Sequence, residues 1–436
     1  MDRLIERDLH RCSKLSFKND SSPNTTSTDP HKILATYLQA LKDFIPVKYS
    51  PRFRNPCWYS PISIPNSTFK TLANVSLINF PVYSDRKAVE LMHNIKNTKS
   101  SKKTLYCLPG VYLAGFPKCA TTTLYKLITA HPGLARPLQK EGHFWRTFVQ
   151  NRMAYFHKQV HALWYLVYLA PAATFIKDHV DALTLDGSAS TLWASTPSLD
   201  PNGTGKIQPH SHDASMCLLP SMVSTVLPNA KFIVIMRNPV SRLFSDFWFF
   251  CSNHNWKNSK GVITVPRKYK EHAPRIFHNY TVRVINEFTA CLGRNTSEFE
   301  CVKRATRGVG SEEACFPLRL GLGMYYFHIV QWLNVFPVNQ FLFLKMEDLA
   351  GDPYHAAATV WKFLGLRPVK RKSVLSHLQT RSNEMSWIKS KEYRTKFQML
   401  PETAELLQSF YRPYNNRLAR LLKDERFLWQ KNYVRN

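Results

Sequence analysis

Three short clusters of side chains carry the groups that hold anions and move protons. The first is Phe116-Pro117-Lys118-Cys119-Ala120-Thr121-Thr122-Thr123, directly after the apolar run Gly110-Val-Tyr-Leu-Ala-Gly115. From Thr123 to His131, Leu124, Leu127 and Ile128 fall at helical spacing, and Pro132-Gly133 ends the pattern. A loop between a strand and a helix faces free N–H groups and the positive end of a helix dipole, a setting that binds phosphate or sulfate. Thr121, Thr122 and Thr123 add hydroxyl donors, and Lys118 adds a point charge. The spacing differs from the G-x-x-x-x-G-K-[ST] loop, because Lys118 precedes the hydroxyls by three residues. Cys119 could be activated by the helix dipole, but small packing volume is its expected role.

The second cluster is Arg237-Asn-Pro-Val-Ser-Arg-Leu-Phe-Ser245, which follows the continuous apolar strand Lys231-Phe-Ile-Val-Ile-Met236. Arg237 then stands at a strand's carboxyl end, where open α/β sheets bind ligands. Ser245 lies two turns on, in a helix read over Ser241–Phe250. Two anion-binding strand ends suit a ligand with phosphates at both ends. The third cluster is Lys140-Glu141-Gly142-His143-Phe144-Trp145. In a cleft lined by Phe144 and Trp145, the Glu141 carboxyl is expected to titrate high, as suits a general base, and His143 titrates near neutrality by nature. Asp186-Gly-Ser188-Ala-Ser190 is read as a strand end entering a loop over the cleft. His210-x-His212-Asp213 lacks a third ligand, so no metal is expected.

These clusters need a frame. A further strand is read at Gln340–Lys345, with helices at Met324–Phe336 before it and Pro353–Leu364 after it. Strands alternating with helices imply an α/β fold, a central parallel sheet flanked by helices. Residues 1–104 are weakly patterned, with Ser21–Pro30 and Pro51–Thr68 rich in turn formers and a short helical pattern at Ile33–Phe44. They read as a stem and N-terminal extension, and residues 105–436 as the main domain.

Lys and Arg number 59 against 30 Asp and Glu, a net charge of +29, while 44% of residues are hydrophobic and 13% aromatic. That much apolar material excludes a disordered or fibrous chain. The positive excess calls for a polyanionic partner. Nucleic acid is disfavoured, because the basic residues are dispersed without a binding motif. The most apolar stretch, Ala162–Ile176, has 15 residues and contains Pro171, short of the roughly 20 that span a bilayer. The first residues lack the apolar core of a signal peptide, so any targeting segment or anchor is expected outside this sequence. Seven Asn-x-Ser/Thr sites (Asn19, Asn24, Asn66, Asn74, Asn202, Asn279 and Asn295) and nine cysteines point to an oxidising lumen. With Cys119 set aside, eight cysteines remain for disulfides, and Cys301–Cys315 or Cys291–Cys301 is the expected pairing.

The pairing of Gly115-Phe-Pro-Lys-Cys-Ala-Thr-Thr122 with Arg237-Asn-Pro-Val-Ser-Arg-Leu-Phe-Ser245 resembles the two cofactor motifs of sulfotransferases. The likeness covers about Leu105–Leu422 and includes Lys140–Trp145, Asp186–Ser190, Trp332–Pro337, Glu347-Asp-Leu349 and the tail Met399–Thr403 with Phe410–Asn415. It is similar to the Golgi carbohydrate sulfotransferases acting on glycosaminoglycans. The resemblance implies a P-loop-like sulfotransferase fold and 3′-phosphoadenosine 5′-phosphosulfate (PAPS) as co-substrate. It implies that Pro117, Lys118, Cys119, Ala120, Thr121, Thr122 and Thr123 hold the 5′-phosphosulfate, and Arg237 and Ser245 the 3′-phosphate. It further implies that Lys118 stabilises the bridging and leaving oxygens, that Glu141 is the base with His143 as runner-up, and that Asp186–Ser190 faces the acceptor. The segment Lys389–Met399 could close over the nucleotide. The implied acceptor is an acidic glycosaminoglycan of the chondroitin or dermatan type, and the implied location the Golgi lumen, or alternatively secretion. In that family the loop reads Pro-Lys-x-Gly-Thr-Thr, and here Ala120 replaces Gly. At positive φ, Ala would cost on the order of 1 kcal/mol; because a well-patterned helix follows, Ala120 is expected to be helical already and harmless. The competing reading is a catalytically weak glycosaminoglycan-binding protein on the same scaffold. A P-loop kinase lacks its lysine and its Mg²⁺-binding Asp here.

Overall fold

The computed structural model describes residues 38–39, 41, 45–46, 48–60, 103–150, 155–194, 212–252, 256–258, 261–263, 272–294, 296–307, 318–372, 374 and 398–430. Of the helical pattern at 33–44, only 38, 39 and 41 are described, and they are helical. Cys57–Ser60 (β1) runs antiparallel to Thr104–Cys107 (β2), with Cys57 opposite Cys107 and bonded to it. Residues on both sides of the expected boundary at 104/105 therefore share one ladder.

The main sheet follows from the apolar runs. Val111–Gly115 (β3) is buried at every position, and its peptides pass through Phe116–Ala120 into Thr121–Ile128 (α1). Next come Leu134–Ala135 (β4), Phe144–Gln150 (α2), Tyr155–Asp178 (α3) and Leu183–Asp186 (β5). His212–Val226 (α4) leads to Lys231–Met236 (β6), which matches the strand read from sequence residue for residue. Pro239–Ser252 (α5) follows, then the small hairpin Trp256–Asn258 (β7) and Gly261–Ile263 (β8). The rest comprises Ala273–Leu292 (α6), Glu298–Arg307 (α7), Tyr325–Leu333 (α8), Phe341–Lys345 (β9), Met346–Gly351 (α9), Pro353–Phe363 (α10) and Pro401–Leu422 (α11).

The five strands lie in the order β4-β5-β3-β6-β9, all parallel, with Val111 paired to Lys231 and Phe232 to Phe341. Parallel strands are covered on both faces, which is why β3 and, from Phe232 on, β6 read as apolar runs without alternation. The α/β fold with a central parallel sheet is the one the sequence predicts. Trp145, Trp332 and Trp361 are among the largest fully buried side chains. Trp361 Nε1 donates to the Ile128 carbonyl at 3.1 Å, fixing α10 against the end of α1. Because every strand points the same way, the segments after Gly115, Asp186, Met236 and Lys345 share one rim, the position where open α/β sheets bind ligands.

Of the two expected pairings, Cys291–Cys301 forms and joins α6 to α7, which excludes Cys301–Cys315. Cys217 is also disulfide-bonded. The apolar run Ala162–Ile176 lies inside α3, and among the described residues no helix is long and apolar enough to cross a membrane.

Candidate active site

The loop after β3 is built on left-handed backbone. Lys118 has φ 68°, and Ala120, the residue capping α1, has φ 60° and ψ 27°. This corrects the expectation that Ala120 is helical. The helix begins at Thr121, and the turn from β3 into it is made on the two preceding left-handed residues. An alanine there carries a steric cost of about 1 kcal/mol that glycine escapes. No side chain caps α1 and no acidic residue lies in its first turn. Its leading N–H groups and positive dipole end therefore suit an anion.

Lys118 is half-buried. Its Nζ lies 3.7 Å from the centroid of the Phe249 ring, on α5. Burial pulls its pKa down to about 8; Asp246 pulls the other way, while the positive charges of Arg237 and Arg319 add to the fall. Cys119 is fully buried, and burial pushes its thiol up to about 11, so it packs and does not react at neutral pH.

Arg237 closes the loop from the neighbouring strand. Its guanidinium reaches the Lys118 carbonyl at 3.5 Å, and its own carbonyl accepts from the Tyr325 hydroxyl at 2.8 Å. The Asn238 side chain caps α5 by accepting from Val240 N at 2.9 Å, with Pro239 opening the helix. The Asn238 N–H donates to Glu347 Oε1 at 2.9 Å, so α9 holds the turn that carries Arg237. Ser245 lies half-buried on α5, two turns beyond Arg237.

The third cluster stands beside the loop. Lys140 Nζ is 3.4 Å from Thr121 Oγ1 and forms an ion pair with Glu141 Oε1. His143 Nε2 lies 2.9 Å from Glu141 Oε2, and His143 Nδ1 lies 2.8 Å from Ser190 Oγ. The Glu141 carboxyl was expected to titrate high; it is held down to about 2. Burial alone would raise it, but the His143 hydrogen bond and the Lys140 charge outweigh that. Phe144 and Trp145 line no cleft around it, since both are buried in the core.

The Asp186–Ser190 segment supports this cluster from below. Buried Asp186 accepts from Ser188 Oγ at 2.5 Å, Ser188 N at 2.8 Å and Tyr165 OH at 2.7 Å. Ser188 Oγ in turn accepts from Gly142 N at 3.1 Å and His143 N at 2.9 Å. His143 itself sits at φ 50°. Gly187 donates to the Lys140 carbonyl at 3.0 Å, and a Cβ there would stand 2.8 Å from that oxygen, so only glycine fits.

Four residues that the sequence clusters do not contain complete the rim. Trp193, on the loop after β5, has the Arg146 guanidinium 4.8 Å and the Arg319 guanidinium 5.9 Å from its ring centroid. Arg319 forms a two-pronged ion pair with Asp246, at 2.5 and 2.9 Å, and Asp246 also faces buried Arg242 at 3.4 Å. No local pattern marks them, because they come from α2, α5 and two separate loops. His212 and Asp213 lie at the start of α4 without described side chains, and His210, Lys389–Met399 (of which only Gln398 and Met399 are described) and six of the seven glycosylation sites fall largely outside the described residues. Asn279 is exposed on α6. Among the described residues no group of His, Cys, Asp and Glu could hold a metal.

The chain is 29% identical to human Carbohydrate sulfotransferase 15 over 409 residues, 88% of this chain and 66% of that protein, and equally so to the mouse protein over 406 residues. It thus spans just under two thirds of the length of these relatives. It is 24% identical to human Heparan sulfate glucosamine 3-O-sulfotransferase 6 over 324 residues, 72% of this chain and 71% of that one. A crystal structure of a sulfotransferase from Alicyclobacillus acidocaldarius aligns with a TM-score of 0.44 at 17% identity, covering 74% of this chain and 99% of that one. The family described as Sulfotransferase domain matches residues 108–412, more than half of the sequence, and the chain belongs to that family.

Proposed function

We propose that this chain transfers a sulfuryl group from PAPS to a hydroxyl of an acidic glycosaminoglycan by in-line displacement. The acceptor would be of the chondroitin or dermatan type, with the 6-hydroxyl of N-acetylgalactosamine 4-sulfate as the leading candidate. The observation that carries this reading is the continuous chain Thr121–Lys140–Glu141–His143, which sets an uncapped helix start beside a carboxylate–imidazole pair. When bound, the donor supplies an activated sulfuryl group on a phosphate leaving group. The residues that fit it are Pro117 to Thr123 around the 5′ end, and Arg237 and Ser245 around the 3′-phosphate.

Transfer of this kind passes through a loose transition state, so positioning and electrostatics dominate and little base strength is needed. Lys118, half-buried against Phe249 in the loop that Arg237 closes, meets charge developing on the bridging oxygen. Glu141 is ionised at neutral pH and takes the acceptor proton, with His143 orienting it. An anion at the start of α1 would compete for Lys140, loosen its hold on Glu141 and raise that carboxylate's basicity. The disulfides suit the secretory pathway, and the Golgi lumen is the proposed location.

The test is transfer of labelled sulfate from PAPS to chondroitin, chondroitin 4-sulfate, dermatan sulfate, heparan sulfate and a tyrosine peptide. Incorporation into one glycosaminoglycan is expected. Absence of transfer with glycan binding retained would overturn the enzymatic reading and favour a binding role, for which the left-handed Ala120 would be the reason.

A further inference from the structure

We propose that Tyr325 is a positioning residue whose hydroxyl ties the loop after β3 to the turn after β6 and so sets the spacing between the two phosphate sites of the donor. The inference rests on the reading that the donor is PAPS. Tyr325 opens α8 and belongs to neither anion-binding cluster. Its hydroxyl donates to the Arg237 carbonyl at 2.8 Å and stands 3.6 Å from Cys119 Sγ. A hydroxyl has one proton, and Arg237 takes it, so the Cys119 thiol donates to the hydroxyl oxygen. The thiol's other acceptor, the Pro117 carbonyl, is further away at 3.8 Å. A directed chain results, from the Cys119 thiol through the Tyr325 hydroxyl to the Arg237 carbonyl. Cys119 and Tyr325 are both fully buried, where no water competes for these bonds. Burial also holds the Tyr325 hydroxyl well above the ordinary tyrosine range, so it stays protonated as a donor.

The sheet alone does not set this spacing. The last backbone bond between the two strand ends runs from Phe116 N to the Ile235 carbonyl at 2.9 Å. Beyond it one chain turns through the left-handed Lys118 and Ala120, and the other enters α5. The Arg237 guanidinium spans the gap to the Lys118 carbonyl at 3.5 Å, a long contact that it gives up when it turns to a phosphate. The Tyr325 link needs no such exchange. Its ring packs on Phe116 with centroids 4.6 Å apart, so packing aims the hydroxyl. A ligand with phosphates at both ends gains from two sites held at one separation, because its second phosphate binds intramolecularly. A ligand with one phosphate gains nothing from it.

The test compares full-length wild type, Tyr325→Phe, Cys119→Ala and the double variant. Calorimetry measures binding of 3′-phosphoadenosine 5′-phosphate, adenosine 5′-phosphate and adenosine 3′-phosphate. Phenylalanine keeps the ring on Phe116 and removes only the hydroxyl. The expected result is that Y325F weakens the bisphosphate about tenfold or more and each monophosphate by less than about threefold. Cys119→Ala cuts the chain at its other end and shows the same pattern, and the double variant is no weaker than Y325F, since a chain is broken only once. Equal weakening of all three nucleotides, which a general loosening of the fold gives, overturns the proposal. Unchanged bisphosphate affinity, or additive losses in the double variant, overturns it as well. If Y325F does not fold, C119A decides by the same ratio of bisphosphate to monophosphate affinity. Wild type that binds none of the three nucleotides refutes the donor reading, and the positioning role falls with it. Variants that keep the wild-type preference for the bisphosphate refute the positioning role alone.

Discussion

Raising the pH should switch this site off through Lys118, far below the range where an ordinary lysine loses its proton. The side chain is enclosed by Phe249 and faces the charges of Arg237 and Arg319, and its pKa falls to about 8. A lowered lysine pKa means that the charged form prevails below 8 and the neutral amine above it. About half of the free enzyme then carries the charge at pH 8 and about a tenth at pH 9, whereas a lysine at 10.4 would remain over about 95% charged there. If the ammonium is what stabilises the leaving oxygen, kcat/KM for the donor falls about tenfold per pH unit above 8. The assay is initial rate at subsaturating PAPS between pH 6 and 10, with acceptor saturating. A second readout needs no turnover: calorimetry of 3′-phosphoadenosine 5′-phosphate at pH 8.5 in two buffers of different ionisation enthalpy should show proton uptake, because a bound anion raises the lysine's pKa. A rate that stays level to pH 9.5, together with no proton uptake, refutes the reasoning. Lys118→Met should abolish both effects.

Ala120→Gly should stabilise the fold by about 1 kcal/mol, read by chemical denaturation, because glycine accepts φ 60° at little cost. Glu141→Gln should lower kcat by about 10²–10⁴ without moving an acidic limb between pH 4 and 7, since the wild-type carboxyl is already ionised throughout that range. Ser188→Ala removes the acceptor for two backbone N–H groups; it should cost about 1–3 kcal/mol and reduce kcat while leaving nucleotide affinity intact. Replacing Cys57 and Cys107 by Ala opens a loop closed over a separation of 50 residues and should cost about 4 kcal/mol on the chain-entropy account, measured by denaturation under non-reducing conditions.

What the sequence discloses here is whatever one short segment carries by itself. Lys231–Met236 is apolar without a break, so its burial in a parallel sheet is legible, and Asn238-Pro239 announces the helix behind Arg237. The phosphate loop is legible for the same reason. The sign of the Ala120 backbone is not, because it depends on how β3 must turn to reach α1, one residue before the helix begins. Glu141 misleads in a related way: neighbouring aromatics suggest an apolar setting, but Phe144 and Trp145 point into the core while Lys140 and His143 take the carboxylate. The Arg146–Trp193–Arg319 stack joins residues far apart in sequence, and the Cys57–Cys107 bond spans the weakly patterned region, so neither leaves a local trace.

That bond also makes the chain from Cys57 to Cys107 a closed covalent ring. A single proteolytic cut anywhere within it cannot release either piece. The nicked protein would migrate as one species without reductant and as two with it, and everything upstream of Cys57 would stay tethered to the catalytic sheet through β1 and β2. Processing inside the ring is thereby decoupled from shedding: a cut there severs the backbone but leaves both pieces joined until this bond is reduced.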